Sequence, residues 1–184
     1  MLNKELFERL LVENQEHSLM REKIIGEARV VLKMSKQAIF LMHRDDLKKA
    51  EEVLTDAEKK LIALGNSSGV GAYYEAAEEF VEAKMFFEYL NSGDIDFKSE
   101  LKFGFETMIS GICDLTGEMV RMAVILVTKG EAEKISDYKQ AVDDIIGELI
   151  KFDLTGKLRV KFDEAKRNLK RLEEILYDVK IRQK

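Results

Sequence analysis

The chain has 184 residues, 46% of them hydrophobic, with no proline, no tryptophan, a single cysteine and a net charge of −5 at pH 7. That length and apolar content give one domain over residues 1–184 with a sizeable core, and the lack of proline beside abundant Leu, Lys, Glu, Ala and Ile predicts long helices. A lone cysteine excludes a disulfide framework, the acidic balance argues against nucleic acid unless a basic surface is local, and MLNKELFERLL at the start lacks the pattern of a signal peptide.

From Glu22 to Met42 the apolar residues Ile24, Ala28, Val31, Ile39 and Met42 recur at helical spacing, with Ile25 and Leu32 on the adjoining stripe, and predict a long first helix. His43-Arg44-Asp45-Asp46 ends it and supplies an aspartate to cap a second helix that runs to Leu64. Gly65-Asn66-Ser67-Ser68-Gly69 is the clearest loop. A third helix over Gly71 to Leu90 turns Ala76, Phe80, Phe87 and Leu90 inward, Asn91-Ser92-Gly93-Asp94 closes it, and Asp96 to Phe105 follows no single pattern. The central helix stops at Gly130, Ser136-Asp137 can cap a fifth through Phe152, and Thr155 can cap the last. There Leu158, Phe162, Ala165, Leu169, Leu172, Leu176 and Val179 alternate steps of four and three, a heptad seam that packs lengthwise on a neighbour.

The central helix carries the main anomaly. Met108 to Val127, MISGICDLTGEMVRMAVILV, is the most apolar run in the sequence, yet it contains Asp114, Glu118 and Arg121 on one helical face. It has the length of a membrane span, but each central charge adds about 2.5–3.5 kcal/mol to insertion, so no membrane role is expected and the setting reads as cytoplasmic. A buried, unpaired carboxylate costs several kcal/mol, so something cationic must hold Asp114. Arg121 can serve Glu118 but sits two turns from Asp114, which leaves a metal ion or a base from another helix. Cys113 reads as a small apolar residue beside that face.

The third helix has its own pair, Glu79 and Glu82, in EEFVEA. If the two helices pack side by side, four carboxylates converge, a donor set suited to Mg²⁺ or Mn²⁺, ions that activate water for in-line attack on a phosphodiester. A solvated stripe is the simpler reading of Glu75, Glu78, Glu79 and Glu82, but not of Asp114, whose surroundings are apolar. The tetrapeptide Asp-Leu-Thr-Gly is no signal by itself: its second copy, at Asp153, falls between helices, where Asp153 suits a turn.

Cations cluster on two helices. Arg29, Lys33 and Lys36 make a stripe on the first that can follow a phosphate backbone. Lys157, Arg159, Lys161, Lys166, Arg167, Lys170 and Arg171 flank the last helix's seam, where interspersed acids favour a plain solvated face. His17 and His43 read as ordinary polar positions, neither follows a glutamate by three residues as a di-iron site requires, and no Walker loop, Cys/His zinc set or Gly-x-Ser-x-Gly elbow occurs. An all-α nucleoside triphosphate pyrophosphatase of the MazG type also pairs carboxylates with Mg²⁺, but as E-x-x-E and E-x-x-D, whereas the second pair here is D-x-x-x-E.

Four strings together, SKQAIFLMHR (35–44), EEFVEAKMFFEYL (78–90), ISGICDLTGEMVRMAV (109–124) and LRVKFDEAKRNLKRLEEILYDVKIR (158–182), resemble the translin superfamily, and translin-associated factor X more than translin. The resemblance implies an all-α bundle of about six to seven helices, assembled into a hollow homo-oligomer, commonly an octamer, that binds single-stranded RNA or DNA inside. It further implies Mg²⁺-dependent cleavage of single-stranded RNA by Glu79, Glu82, Asp114 and Glu118, with Arg29 and Lys36 at basic positions of the family's first helix. Translin itself lacks the acidic set, which favours a nuclease over a non-catalytic binding cage. The loop after the third helix is shorter than in eukaryotic factor X, as in a compact, archaeal kind of member.

Overall fold

Long apolar-spaced segments without a proline to interrupt them fold as helices and then bury their apolar stripes against one another. Residues 2–65, 67 and 69–182 are described by a computed structural model, and among them are six α-helices and no strand. They are α1 (Lys4–Met42), α2 (Leu47–Leu64), α3 (Gly71–Ser92), α4 (Phe105–Lys129), α5 (Ile135–Leu149) and α6 (Gly156–Arg182). This is the expected all-α class.

Directions follow from a few contacts. Lys36 of α1 reaches Glu79 of α3, and the His43 ring lies 5.2 Å from Phe86, so α1 and α3 run the same way. Lys60 of α2 pairs with Glu27 at 3.0 Å, which sets α2 against them. After α3 the chain returns along the bundle through residues 93–104 without regular structure. Phe97 and Phe103 pack edge-on to Phe80, and Ser99 and the Glu100 amide bond to Glu58. That contact set explains the undecided pattern of this segment, an extended strap held by aromatic side chains. Gly130, at φ 80°, ends α4 in the left-handed conformation as expected.

One connected core runs through the helices. Phe80, Phe86, Leu115, Met119 and Leu172 are fully buried in it, each contributing roughly 1.5–3 kcal/mol. All seven seam positions of α6 are buried or half-buried against α4 and α5. Among the described residues no helix is long and apolar enough to cross a membrane.

Three expectations are corrected. The first helix begins at Lys4, not Glu22, and residues 4–23 are exposed on every side, because their apolar residues do not form a single stripe that could dock on the core. Asp46 does cap α2, accepting from the Lys49 amide, but Ser136 and Asp137 cap nothing. A 3-10 turn over Ala132–Lys134 leads straight into α5, and the Ser136 hydroxyl donates back to the Glu133 carbonyl. That helix ends at Leu149, before Phe152. Of the loop expected at 65–69, Asn66 and Ser68 lie outside the described residues.

Candidate catalytic site

The site is built by a close approach of α3 and α4. Gly111 makes it possible: a Cβ there would stand 2.6 Å from Val81 Cγ1, 2.8 Å from its Cβ and 2.9 Å from the Glu78 carbonyl oxygen, distances no side chain tolerates. One turn from Gly111 lies Asp114, two turns on lies Glu118, and Val81 is flanked by Glu78, Glu79 and Glu82. The fields of Glu79, Asp114 and Glu118 all bear on Glu82, and those of Asp114 and Glu118 on Glu79, so the two acidic pairs face a shared space.

The helices around this space supply its cations and donors. Lys161 of α6 donates to Asp114 Oδ2 and lies 3.6 Å from Glu78 Oε2. Lys157 donates to both oxygens of Glu78 at 2.8 Å. From α1, Lys36 lies 3.7 Å from Glu79 Oε2, and the His43 imidazole hydrogen-bonds Glu118 Oε2 through Nε2. Arg121 approaches the same Glu118 oxygen at 3.6 Å. Asp114, Glu79 and Glu118 are therefore each held by a single oxygen, with the other left open. Glu82 is 7% exposed and among the described residues has neither an ion pair nor a hydrogen bond, but its oxygens keep contact with solvent.

Those surroundings set the proton affinities. Burial, then the charges of Glu79, Asp114 and Glu118, push the Glu82 carboxyl up to about 9. Burial also raises Glu79, and it raises Asp114 in spite of the Lys161 hydrogen bond. Burial acts to depress the Lys161 ammonium, but Asp114, Glu78 and Glu82 outweigh it and hold the group above its usual value. Cys113, behind Asp114, is buried and its thiol is pushed up to about 12 by burial, which makes it a packing residue and not a nucleophile.

The translin family model matches residues 19–183. The chain belongs to the translin family. A translin-associated protein X homolog from Schizosaccharomyces pombe is 25% identical to this translin-family chain over 96% of its length and 87% of the relative's. Two solved structures share the fold. Apo-NeC3PO superposes with a TM-score of 0.86 at 23% identity, covering 96% of this chain and 97% of that one. A complex of AfC3PO with duplex RNA gives 0.85 at 22%, covering 95% and 96%.

Within this translin fold, Glu79, Glu82, Asp114 and Glu118 are all oxygen donors, and the unpartnered buried Glu82 carboxyl is the atom set that a hard cation would satisfy. The residues fit Mg²⁺ or Mn²⁺ in kind. No group of three or more His, Cys, Asp or Glu side chains among the described residues stands at ligand spacing, so the four carboxylates expected to converge share a region of the bundle without closing on one point. Loading would also compete with Lys161 for Asp114.

Sequence reasoning missed three residues here. Lys161 was assigned to a solvated face, yet it is the base from another helix that Asp114 required. His43 was taken as an ordinary polar position, yet its side chain is 3% exposed and meets Glu118. Glu78 was assigned to a solvated stripe with Glu75, Glu79 and Glu82, but only Glu75 is exposed. One cue was available for His43, which lies seven residues after Lys36 and so on the same face of α1. No comparable cue marked Lys161, whose partner lies on a helix 47 residues away.

The two basic stripes differ in how far their charges are paired. On α6, Lys157, Arg159, Lys166 and Arg171 spend their charge on Glu78, Asp163 and Glu174. On α1, Arg29 and Lys33 are exposed, and of the stripe only Lys36 is ion-paired among the described residues.

Proposed function

We propose that this chain is a Mg²⁺-dependent endoribonuclease acting on single-stranded RNA, with Glu79, Glu82, Asp114 and Glu118 holding the ion and Arg29, Lys33 and Lys36 holding the strand. One observation carries the reading: the close approach of α3 and α4 at Gly111 brings Glu79 and Glu82 to the same side of the bundle as Asp114 and Glu118, and Glu82, 7% exposed, has no ion pair or hydrogen bond among the described residues. Structural acids are paired or hydrogen-bonded, whereas an acid left unpaired among acids is an arrangement kept for chemistry. Support for a nucleic-acid substrate comes from the similar fold of AfC3PO, whose structure is a complex with duplex RNA.

A divalent ion bound there would neutralise charge on the scissile phosphate and acidify the attacking water. The chain's own groups do the rest. Arg29, Lys33 and Lys36 run along α1 at helical spacing and can neutralise successive phosphates leading to Glu79. Lys161, held between Asp114 and Glu78, brings an ammonium into the acidic space, where it can steady a phosphoryl oxygen. Glu82 keeps its proton in the metal-free protein at neutral pH, so a bound cation would displace that proton and leave the carboxylate to hold the ion.

The same reading includes a closed homo-oligomer, an octamer around an enclosed strand. The exposed arm of α1 supports assembly, because Leu6, Phe7, Leu10, Leu11, Leu19 and Met20 are large apolar side chains left exposed on it. Light scattering should give eight times the chain mass of 21.2 kDa.

One observation favours a rival. Lys161 already neutralises Asp114, so the fold does not depend on a metal, and a non-catalytic single-strand-binding cage would look the same. Labelled single-stranded RNA incubated with wild type and Asp114→Asn, in Mg²⁺ or EDTA, separates the two. The nuclease reading requires cutting that both the substitution and the chelator abolish. Binding without any cutting supports the cage, and cutting that ignores both changes eliminates the site. Release of pyrophosphate from a nucleoside triphosphate with no strand cleavage would favour the pyrophosphohydrolase.

A further inference from the structure

Residues 28–44, ARVVLKMSKQAIFLMHR, form the longest run in the chain without an acidic residue, in a protein carrying 35 of them. The run ends beside the carboxylate cluster, where Lys36 meets Glu79 and His43 meets Glu118. Between those two site-facing residues, one turn after Lys36 and three residues before His43, stands Phe40. It is 47% exposed, although it belongs to an otherwise well-packed part of α1. The Arg44 guanidinium lies 4.2 Å from its ring centroid.

Arg44 has no carboxylate in ion-pair range among the described residues, so its charge is available. An exposed phenyl ring with a free guanidinium on it, on a helix that presents cations and no acids, is poorly suited to the core. It has the chemistry of a base-stacking platform: a flat π face for the base and a cation for the adjoining phosphate.

We propose that Phe40 and Arg44 form a subsite for one unpaired nucleobase of the bound strand, next to the scissile phosphate. This deepens the nuclease reading and rests on it for the identity of the strand. Stacking places the base outside the acidic space and leaves its phosphate between Lys36 and Arg44, so the two cations bracket the nucleotide. It also selects for single strands, because a paired base keeps both faces inside its own helix and offers none to Phe40.

The chain has no tryptophan, so Phe40→Trp places a single tryptophan at the subsite, which can be excited selectively over the five tyrosines. In EDTA, the full-length variant is titrated with a single-stranded RNA 12-mer, an abasic strand of equal length and a blunt RNA duplex. The base-bearing strand should quench the emission strongly, and the abasic strand and the duplex weakly or not at all. Phe40→Leu should weaken single-strand binding roughly fivefold to a hundredfold, while leaving abasic-strand affinity, helical content and oligomer mass unchanged.

Equal quenching by all three ligands, or strand binding without quenching, overturns the subsite while leaving the nuclease reading standing. A change in oligomer mass in Phe40→Leu also overturns it and assigns Phe40 to a subunit contact. Failure of wild type to bind any single strand removes both readings together.

Discussion

His43 of α1 and Glu118 of α4, 75 residues apart, meet through a hydrogen bond from Nε2 to Oε2 at the edge of the acidic cluster, with the imidazole packed on Phe86. The other ring nitrogen, Nδ1, is buried without a partner among the described residues. A hydrogen on Nδ1 would be stranded there, which suits the tautomer that donates from Nε2. His43 thus pins one Glu118 oxygen and leaves the second without a hydrogen bond among the described residues. His43→Ala should raise the Mg²⁺ concentration needed for half-maximal cleavage by about 10- to 100-fold, with little change in KM for RNA. His43→Gln, which keeps a donor, should recover part of it, and a Mg²⁺ titration of the cleavage rate checks both.

Glu82 makes stability fall as pH rises. Its folded-state pKa, about 9, lies above the ordinary carboxyl value near 4.5, so between these limits the unfolded chain gives up a proton that the folded one retains. The cost is absent below about pH 4 and complete near pH 9. Glu82→Gln should therefore stabilise the metal-free protein at pH 8 by about 1–3 kcal/mol, and the gain should vanish at pH 4. Denaturant unfolding of both proteins across that range measures it.

Gly111 is the hinge of the argument for convergence. Gly111→Ala places a Cβ against Val81 and the Glu78 carbonyl, and the backbone cannot swing away as a side-chain tip could. The substitution should destabilise by about 1–3 kcal/mol despite alanine's better helix propensity, and should reduce cleavage by separating α3 from α4. Gly147→Ala, in α5 with nothing within 4 Å of the added carbon, is the control, and it should stabilise by up to about 1 kcal/mol. Thermal melts compare the two.

Much of this site could be read from single helices. Glu79 with Glu82 and Asp114 with Glu118 stand out because i, i+3 and i, i+4 spacings put each pair on one helical face, and the α6 seam follows from its 4-3 steps. What could not be read depends on tertiary partners. Lys161 looks like any solvated lysine until α6 docks on α4. The helical start at Lys4 was hidden because residues 4–23 have no core face to leave a periodic trace.

The α1 cations should act on binding and not on chemistry. Arg29→Ala and Lys33→Ala should each weaken RNA binding in EDTA and lower the slope of log affinity against log salt by about 0.7–1, with no preference for base sequence. Lys36→Ala should differ, because Lys36 also touches Glu79, and should lower the cleavage rate as well. Fluorescence anisotropy at several salt concentrations gives the slopes.

The central claim is that acids from α3 and α4 share one divalent cation. Calorimetric titration of Mn²⁺ into wild type, Glu82→Gln and Asp114→Asn tests it without RNA or turnover. One site per chain in wild type, lost or weakened at least tenfold in either variant, is the predicted result. Mn²⁺ affinity that is the same in all three proteins would contradict it.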